Sequence, residues 1–280
     1  MTQTPRKWLI TGCSTGLGRA LAQVLITKGD RVFATARNPE QLEDLVAGHD
    51  NATALKLDVT SEADIAAVTQ EINRQGGIDV LVNNAGYGYI SAIEEADTQD
   101  YRDLFETNVF GLIAMTRAVL PGMRERGSGH VVNISSVGGM VGNPGSGYYA
   151  ATKFAVVGFS ESLARETKDL GIKVTVVAPG PFRTDWAGRS LKSAKQPIAA
   201  YATSVHARLK SINGYSGQQP GDPIRGAEAI ISAVSSHEPP LRLVLGAPGL
   251  KMAREQLAAI GQEFDAWEAV SLSADFPTDA

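Results

Sequence analysis

The chain alternates between short runs of consecutive apolar residues and longer segments whose apolar residues recur with helical spacing. A run without polar alternation is typical of a strand that is buried on both faces of a sheet. The pattern predicts strands at 7–11, 31–36, 52–58, 78–83, 130–135, 172–178 and 241–245. Helical patterns lie between them, for example at 18–28, 63–75, 98–126 and 148–170. Because strands and helices alternate, we expect an α/β fold, with a parallel sheet of about seven strands that carries helices on both faces.

Two segments depart from this alternation. Residues 185–222 show no strand pattern, and an insertion of this length is usually functional or mobile. Residues 250–267 have an amphipathic helical pattern, which we expect to pack on its own domain rather than on a partner, and residues 268–280 follow as a tail. The chain has no composition break or internal repeat. We therefore predict a single domain over 1–280, with an insertion at 185–222 and a C-terminal helical extension at 250–280.

Composition and charge exclude several classes of function. The 280 residues carry a net charge of -4 and no cluster of basic residues, which argues against a nucleic-acid-binding protein. The single cysteine, Cys13, cannot form an internal disulfide, and no apolar run approaches the roughly 18 residues of a membrane span. The four histidines show no metal-ligand spacing, so we expect no bound metal. These features predict a soluble cytoplasmic protein without nucleic-acid or membrane partners.

A glycine-rich turn follows the first predicted strand. Thr11 leads into Gly12-Cys13-Ser14-Thr15-Gly16-Leu17-Gly18, and a helical pattern begins there. Glycine lets the backbone approach a pyrophosphate closely, and the free N–H groups and the dipole of the following helix attract its charge. The spacing is GxxxGxG rather than GxGxxG, and a glycine-rich turn alone is a weak signal. Its position in the first strand–helix unit predicts a dinucleotide site.

The end of the second predicted strand bears on the choice of dinucleotide. Sites that prefer NAD usually place an acidic residue here for the ribose 2′-hydroxyl, whereas arginine accommodates the 2′-phosphate of NADP. Ala36 occupies the position where the acid is expected, and Arg37 follows. We therefore expect NADP(H) rather than NAD(H), the alternative being that Arg37 is a solvated loop residue.

Tyr149 and Lys153 lie four residues apart in a predicted helix. Side chains at i and i+4 share one face of a helix, so the phenol and the ammonium would be neighbours. The unperturbed pKa of a phenol is about 10, and lowering it to about 7 requires roughly 4 kcal/mol. An ammonium at about 4 Å supplies that order of energy at an effective dielectric of about 20, although desolvation opposes it. The spacing suits a proton-transfer pair but also occurs by chance on surface helices, and Tyr148 would point to a different sector.

From residue 7 to residue 245 the chain resembles the short-chain dehydrogenase/reductase family, in its single-domain branch. Five motifs occur in the order and with the separations of that family. They are TGxxxGxG at 11–18, Asn83-Asn84-Ala85-Gly86, the helix asparagine Asn108, Ser136 with Tyr149 and Lys153 of YxxxK, and Pro179-Gly180 with Thr184. The resemblance implies one doubly wound, Rossmann-type α/β domain with a catalytic tetrad.

The roles of these residues follow from the resemblance rather than from their spacing. Tyr149 would donate a proton to a carbonyl oxygen, or remove it from the alcohol, and Ser136 would orient that oxygen. Lys153 would hold the nicotinamide ribose and depress the pKa of the tyrosine, while Asn108 would position a water that links Lys153 to a proton relay. The residues expected to bind the dinucleotide are Gly12, Ser14, Thr15, Gly16, Leu17, Gly18, Arg37, Asp58, Val59, Asn84, Ala85, Gly86, Tyr149, Lys153, Pro179, Gly180 and Thr184.

These features predict an NADP(H)-dependent oxidoreductase that interconverts a ketone or aldehyde with an alcohol. Two alternatives stay open: a non-catalytic NADP-binding redox sensor, and an epimerase or dehydratase on the same scaffold. The turn at 34–37 and the long insertion resemble the hydroxysteroid- and retinol-dehydrogenase-like subset. We expect 185–222 and the C-terminal helix to wall the substrate pocket opposite 137–147, and the family resemblance implies a homodimer or homotetramer.

Overall fold

The computed structural model describes residues 5–188 and 190–276. Strands and helices alternate along this part of the chain. The strands are β1 (Lys7–Ile10), β2 (Arg31–Ala36), β3 (Ala52–Lys56), β4 (Val80–Asn83), β5 (Gly88–Ile90), β6 (Gly129–Ile134), β7 (Ile172–Pro179), β8 (Leu191–Ser193) and β9 (Arg242–Leu245). The α-helices are α1 (Gly16–Thr27), α2 (Glu43–Val46), α3 (Glu62–Arg74), α4 (Thr98–Phe105), α5 (Gly111–Arg126), α6 (Gly147–Glu166), α7 (Ala207–Gly214), α8 (Pro223–Ser235) and α9 (Ala247–Leu272).

The central sheet has seven strands in the order β3-β2-β1-β4-β6-β7-β9, and each neighbouring pair is parallel. This confirms the predicted fold class. The strand order reverses beside β1, which pairs with β2 on one side and with β4 on the other. In such sheets the crevice at the carboxyl ends of the strands, next to the reversal, is where ligands bind.

The two faces of the sheet explain why most of its strands are rich in apolar residues. Successive side chains of a strand point to opposite faces. Trp8 and Ile10 join a core with Leu21 of α1 and Ile230 of α8, while Leu9 joins a second core on the other face with residues of α3, α5 and α6. Both faces are therefore buried under helices.

The insertion at 185–222 contains a strand that the sequence pattern does not reveal. β8 lies inside it and pairs in parallel with β5, which the pattern also misses, as a separate two-stranded sheet. Each strand has three residues, too few for the hydrophobic pattern to mark. The prediction of a strand-free insertion was therefore wrong. The pairing ties the insertion to the segment that follows β4.

Two predicted helices also differ from the structure. The segment at 98–126 is helical throughout but contains a π turn at Glu106–Phe110, between α4 and α5. The C-terminal helix α9 is longer than predicted at both ends. Of its residues, Gly249 and Ala253 are buried, whereas Phe264 is 70% exposed and Trp267 is 63% exposed.

The expectation that α9 packs on its own domain was thus wrong for its distal half. At about 1.5 Å per residue the helix continues roughly 28 Å beyond Ala253, and its later apolar side chains are exposed. The predicted tail is helical as far as Leu272, and residues 277–280 lie outside the described residues. Over the part of the chain that the structure covers, no helix combines the length and apolarity needed to cross a membrane.

Candidate active site

A cavity of about 940 Å³ opens at the carboxyl ends of β1, β2, β4, β6 and β7. The predicted site residues converge on it. Those that line it are Gly12, Ser14, Thr15, Gly16, Leu17, Arg37, Asp58, Val59, Asn84, Ala85, Gly86, Ser136, Tyr149, Lys153, Pro179, Gly180 and Thr184. Gly18 and Asn108 do not line the cavity and lie behind its wall.

The glycine-rich turn has the backbone conformation that a phosphate cradle requires. Gly12 and Gly16 have φ values of +73° and +65°, a region that favours glycine. A Cβ on Gly12 would lie 2.9 Å from the Cα of Ala85, so the two segments approach too closely for any side chain. The Thr11 hydroxyl accepts hydrogen bonds from the backbone N–H groups of Asn84 and Ala85, each at 2.9 Å. α1 starts at Gly16, and its first N–H groups and its positive dipole end face the cavity.

Gly18 allows the turn to close against Asn84. The Asn84 amide donates to the carbonyls of Thr11 and Gly12, at 2.9 Å each. A Cβ on Gly18 would collide with that amide and lie 2.6 Å from the Gly12 carbonyl. Gly18 was predicted to bind the dinucleotide. Its observed position indicates that it shapes the turn and does not line the site.

We expect Gly18→Ala to lower the free energy of unfolding by about 1–3 kcal/mol, as overpacking typically does. NADPH affinity should fall with it, because the turn must open to admit the methyl group. Gly158→Ala is the matched control, since Gly158 lies within α6 and an added Cβ there meets open space. The free energy of unfolding of that variant should rise by up to about 1 kcal/mol, because alanine has a higher helix propensity than glycine. Urea unfolding and NADPH titration of both variants check this, and a Gly18→Ala protein with the stability and affinity of the unsubstituted chain would refute it.

The predicted catalytic side chains meet at the end of β6 and on α6. Tyr149 and Lys153 are both buried, and the ammonium lies 5.8 Å from the centroid of the phenol ring. Lys153 donates to the carbonyl of Ile134 at 2.9 Å. Ser136 follows β6, and its hydroxyl accepts from the backbone N–H of Gly138 at 3.0 Å. Tyr148 points elsewhere: its hydroxyl donates to the carbonyl of Ile93 at 2.9 Å.

Burial determines the ionisation of this pair. It raises the pKa of Tyr149 to about 12, with the Ser136 hydroxyl opposing the rise. It also lowers the pKa of Lys153 to about 8. The ammonium lies over the ring and donates to a backbone carbonyl. Burial therefore opposes the lowering of the Tyr149 pKa that the spacing predicts, and the role of Lys153 in that lowering stays a prediction.

Asn108 supports the cavity wall from behind. It lies in the π turn and is buried. Its side-chain oxygen accepts from the N–H of Tyr87 at 3.0 Å, and its amide donates to the Tyr87 carbonyl and to the Thr152 hydroxyl. These contacts use both amide donors, so Asn108 holds the backbone of Tyr87 and the start of α6 together. A water in the predicted relay would therefore have to donate to the side-chain oxygen of Asn108, which can accept a second hydrogen bond, or bind to the Asn108 backbone.

Ala36 and Arg37, on which the predicted choice of cofactor depends, lie at the end of β2. Ala36 is buried at the end of β2, and Arg37 is exposed and lines the cavity. Asp58 also lines the cavity, and its carboxylate accepts from the N–H and the hydroxyl of Thr60. Arg37 therefore provides a positive charge where the predicted ribose site ends, and Ala36 places no carboxylate there.

Several residues that line the cavity had no motif to mark them. The Trp186 ring lies 5.5 Å from the Tyr149 ring, and the Lys192 ammonium lies 4.6 Å above the Tyr87 ring. Further lining residues from the insertion are Ser190, Arg208, Ile212, Tyr215 and Gln219, and α9 contributes Met252. Val137, Gly138 and Asn143 line the opposite side, as expected. For the lining residues within the insertion, the unusual length of that segment was the only sequence feature that indicated a functional role.

Comparisons with known proteins agree with this geometry. The family model described as short chain dehydrogenase matches residues 6–195. Oxidoreductase BOA17 of Botryotinia fuckeliana is 39% identical over 272 residues, which cover 95% of this chain and 98% of that protein. Human retinol dehydrogenase 8 is 38% identical over 259 residues, 86% of this chain and 82% of that protein. The crystal structure of a short-chain dehydrogenase from Streptomyces avermitilis has a TM-score of 0.92 and 44% identity, and covers 98% of this chain and 100% of that one.

Solved structures with bound nucleotides share the fold. A serine dehydrogenase complexed with NADP⁺ has a TM-score of 0.74 at 29% identity, over 85% of this chain and 94% of that one. A protein from Burkholderia phymatum in complex with NAD has a TM-score of 0.81 at 23% identity, over 92% and 95%, a likeness in fold alone.

Proposed function

Since the chain belongs to the short-chain dehydrogenase/reductase family of oxidoreductases, we propose that it is an NADP(H)-dependent enzyme that interconverts a ketone or aldehyde with an alcohol. One observation carries the proposal. Ser136, Tyr149 and Lys153 line the same cavity as the glycine-rich turn. A proton donor and a dinucleotide cradle therefore share one space, as hydride transfer to a carbonyl requires.

The protein's own groups fit a nicotinamide dinucleotide. The position of Gly12 admits no side chain, and the N-terminal end of α1 offers N–H groups for a pyrophosphate. Lys153 would hold the nicotinamide ribose, and Asp58 and Val59 the adenine end. When bound, the reduced cofactor supplies the hydride.

The ionisation of Tyr149 favours carbonyl reduction. Hydride addition leaves negative charge on the carbonyl oxygen, so a donor must already be aimed at that oxygen. With its pKa raised to about 12 by burial, the phenol keeps its proton at neutral pH and can donate it. Ser136 would donate a second hydrogen bond and orient the oxygen. In the reverse direction the same phenol must first lose its proton, which burial opposes.

NADP(H) is proposed over NAD(H) because of Arg37. Its guanidinium would pair with the 2′-phosphate, and Ala36 leaves no carboxylate to repel that phosphate. The NADP⁺ complex of serine dehydrogenase supports this choice, whereas the NAD complex from Burkholderia phymatum shows that the fold accommodates either cofactor.

The proposal extends to the assembly and setting of the enzyme. It treats 1–280 as one catalytic domain that works in the cytoplasm as a homodimer or homotetramer. Phe110 and Phe154 support self-association, because they are 53% and 47% exposed next to the segments that carry Asn108 and Tyr149. Covering such apolar side chains is the usual driving force for association.

A carbonyl panel tests the proposed function. The enzyme is mixed with NADPH and with ketones and aldehydes of varied size and charge, and NADPH absorbance is followed. We expect turnover of at least one carbonyl, at a lower kcat/KM with NADH. If NADPH binds but no carbonyl in a broad panel is reduced and no alcohol is oxidised with NADP⁺, the proposal fails in favour of the sensor reading.

A further inference from the structure

Arg208, which belongs to the insertion at 185–222, lines the cavity. Arg208 lies in α7, and its Nη1 donates to the Pro144 carbonyl at 3.0 Å and to the Ser146 hydroxyl at 2.6 Å. Both acceptors belong to the segment that leads into α6. These two hydrogen bonds fix the guanidinium at the wall opposite the insertion.

The other edge of this guanidinium has no partner in the structure. Arginine has five N–H donors, and the two on Nη1 are used. Within 5–188 and 190–276, the Nε and Nη2 donors of Arg208 have no acceptor, and no carboxylate forms an ion pair with it. The side chain is half-buried, and burial lowers the pKa of Arg208. A cation in this position gains from a counter-ion, because its own charge is poorly solvated.

The free edge has the geometry of a carboxylate clamp. Nε–H and Nη2–H point in parallel from a planar group and match the two oxygens of a carboxylate. Lys192, which also belongs to the insertion, adds a second positive charge to the lining of the cavity. The acidic residues that line the cavity, Asp58, Asp103 and Glu106, come from the end of β3 and from the α4 region, not from the insertion.

Arg208 also contacts the start of the helix that carries the proposed proton donor. Ser146, which it contacts, accepts a hydrogen bond from the N–H of Ala150 and precedes Tyr149 by three residues. That separation is about one helical turn, or roughly 5 Å of rise. A small molecule could therefore place a carbonyl at Tyr149 and an anionic group at Arg208. Trp186 and Ile212 add apolar side chains to the lining of the same cavity.

We propose that the substrate is a carbonyl compound that carries a carboxylate, which the Nε and Nη2 edge of Arg208 binds while the carbonyl contacts Tyr149. This inference rests on the proposed function. It adds a substrate class, oxo acids with an apolar segment between the two groups, and it assigns a specificity-determining role to a residue outside the catalytic tetrad.

The unsubstituted enzyme gives the first test. Its kcat/KM with NADPH is measured for oxo acids of increasing chain length, for the methyl ester of each, and for a carbonyl compound with a phosphate in place of the carboxylate. We expect one oxo acid to exceed its ester by about 10- to 100-fold, the value of a charge-assisted hydrogen-bonded pair. Equal values for every acid and ester overturn the inference, and a preference for the phosphate compound overturns the carboxylate assignment.

Substitution of Arg208 gives the second test. In Arg208→Gln the ratio of kcat/KM for the acid to kcat/KM for its ester should fall about 10- to 100-fold. Arg208→Lys should restore part of this ratio. Arg225→Gln is the charge-matched control: its side chain is 86% exposed on α8, so both kcat/KM values should remain unchanged. If Arg208→Gln lowers the values for acid and ester equally, the arginine only holds the loop at 144–146. Such a loss leaves the proposed function intact, because the esters are still reduced by the unsubstituted enzyme.

Discussion

Replacing Tyr149 by phenylalanine should lower kcat/KM for carbonyl reduction by about 10²–10⁴-fold, the usual contribution of a general acid. The substitution removes the hydroxyl and keeps the ring, so the contacts of that ring with Trp186 and Lys153 remain. NADPH affinity should therefore stay within a few-fold of its original value. The measurement is a pair of assays on one preparation: steady-state reduction with a carbonyl from the panel, and titration of NADPH fluorescence.

Tyr148→Phe is the matched control for this prediction. The neighbouring phenol donates to the Ile93 carbonyl and its ring stacks on Tyr101, so it has a structural role. Its loss should lower the free energy of unfolding by about 1 kcal/mol and leave kcat/KM nearly unchanged. Undiminished turnover in Tyr149→Phe would refute the assignment of the proton donor. An equal loss in both variants would show that the effect is structural.

The second large effect is expected at the cofactor. In Arg37→Asp, the ratio of kcat/KM with NADPH to kcat/KM with NADH should fall by about 10²–10³-fold and reverse. Loss of a charge-assisted contact accounts for about 1.5–3 kcal/mol of this change, and repulsion between the new carboxylate and the 2′-phosphate adds to it. The new carboxylate can also accept hydrogen bonds from the ribose hydroxyls of NAD.

Lys28→Asp makes the same change in net charge on the exposed end of α1, away from the cavity, and should leave the cofactor ratio unchanged. Kinetics with both cofactors at one ionic strength check the pair of variants. An unchanged ratio in Arg37→Asp would show that Arg37 is a solvated loop residue, which was the alternative interpretation of the sequence.

Much of the fold could be predicted because its signals are local and repeated. Most of the seven central strands are rich in apolar residues, since helices cover both faces of the sheet, and the pattern locates each of them to within about two residues. The paired strands β5 and β8 escape the pattern because each has three residues, and their pairing joins segments about a hundred residues apart. The distal half of α9 was misjudged because periodicity reveals an apolar stripe but not the surface that covers it.

The same distinction between local signals and long-range contacts applies to the candidate site. Residues within ordered motifs, such as Ser136 and Tyr149, could be predicted, and the structure brings them into one cavity. The different positions of Gly18 and Asn108 depend on contacts with Asn84 and Tyr87 that no spacing encodes. An i,i+4 spacing predicts a nearby charge but not the burial that raises the pKa of Tyr149.

Isotope transfer can show whether hydride passes between NADPH and a carbonyl in this cavity. The enzyme is incubated with NADPH that carries deuterium at both nicotinamide C4 positions and with a carbonyl from the panel, and the product is analysed by mass spectrometry. We expect an alcohol with one deuterium on its carbinol carbon, and one NADPH consumed per alcohol formed. An alcohol without deuterium, or an isomerised or dehydrated product formed with no net consumption of NADPH, would contradict this hydride transfer.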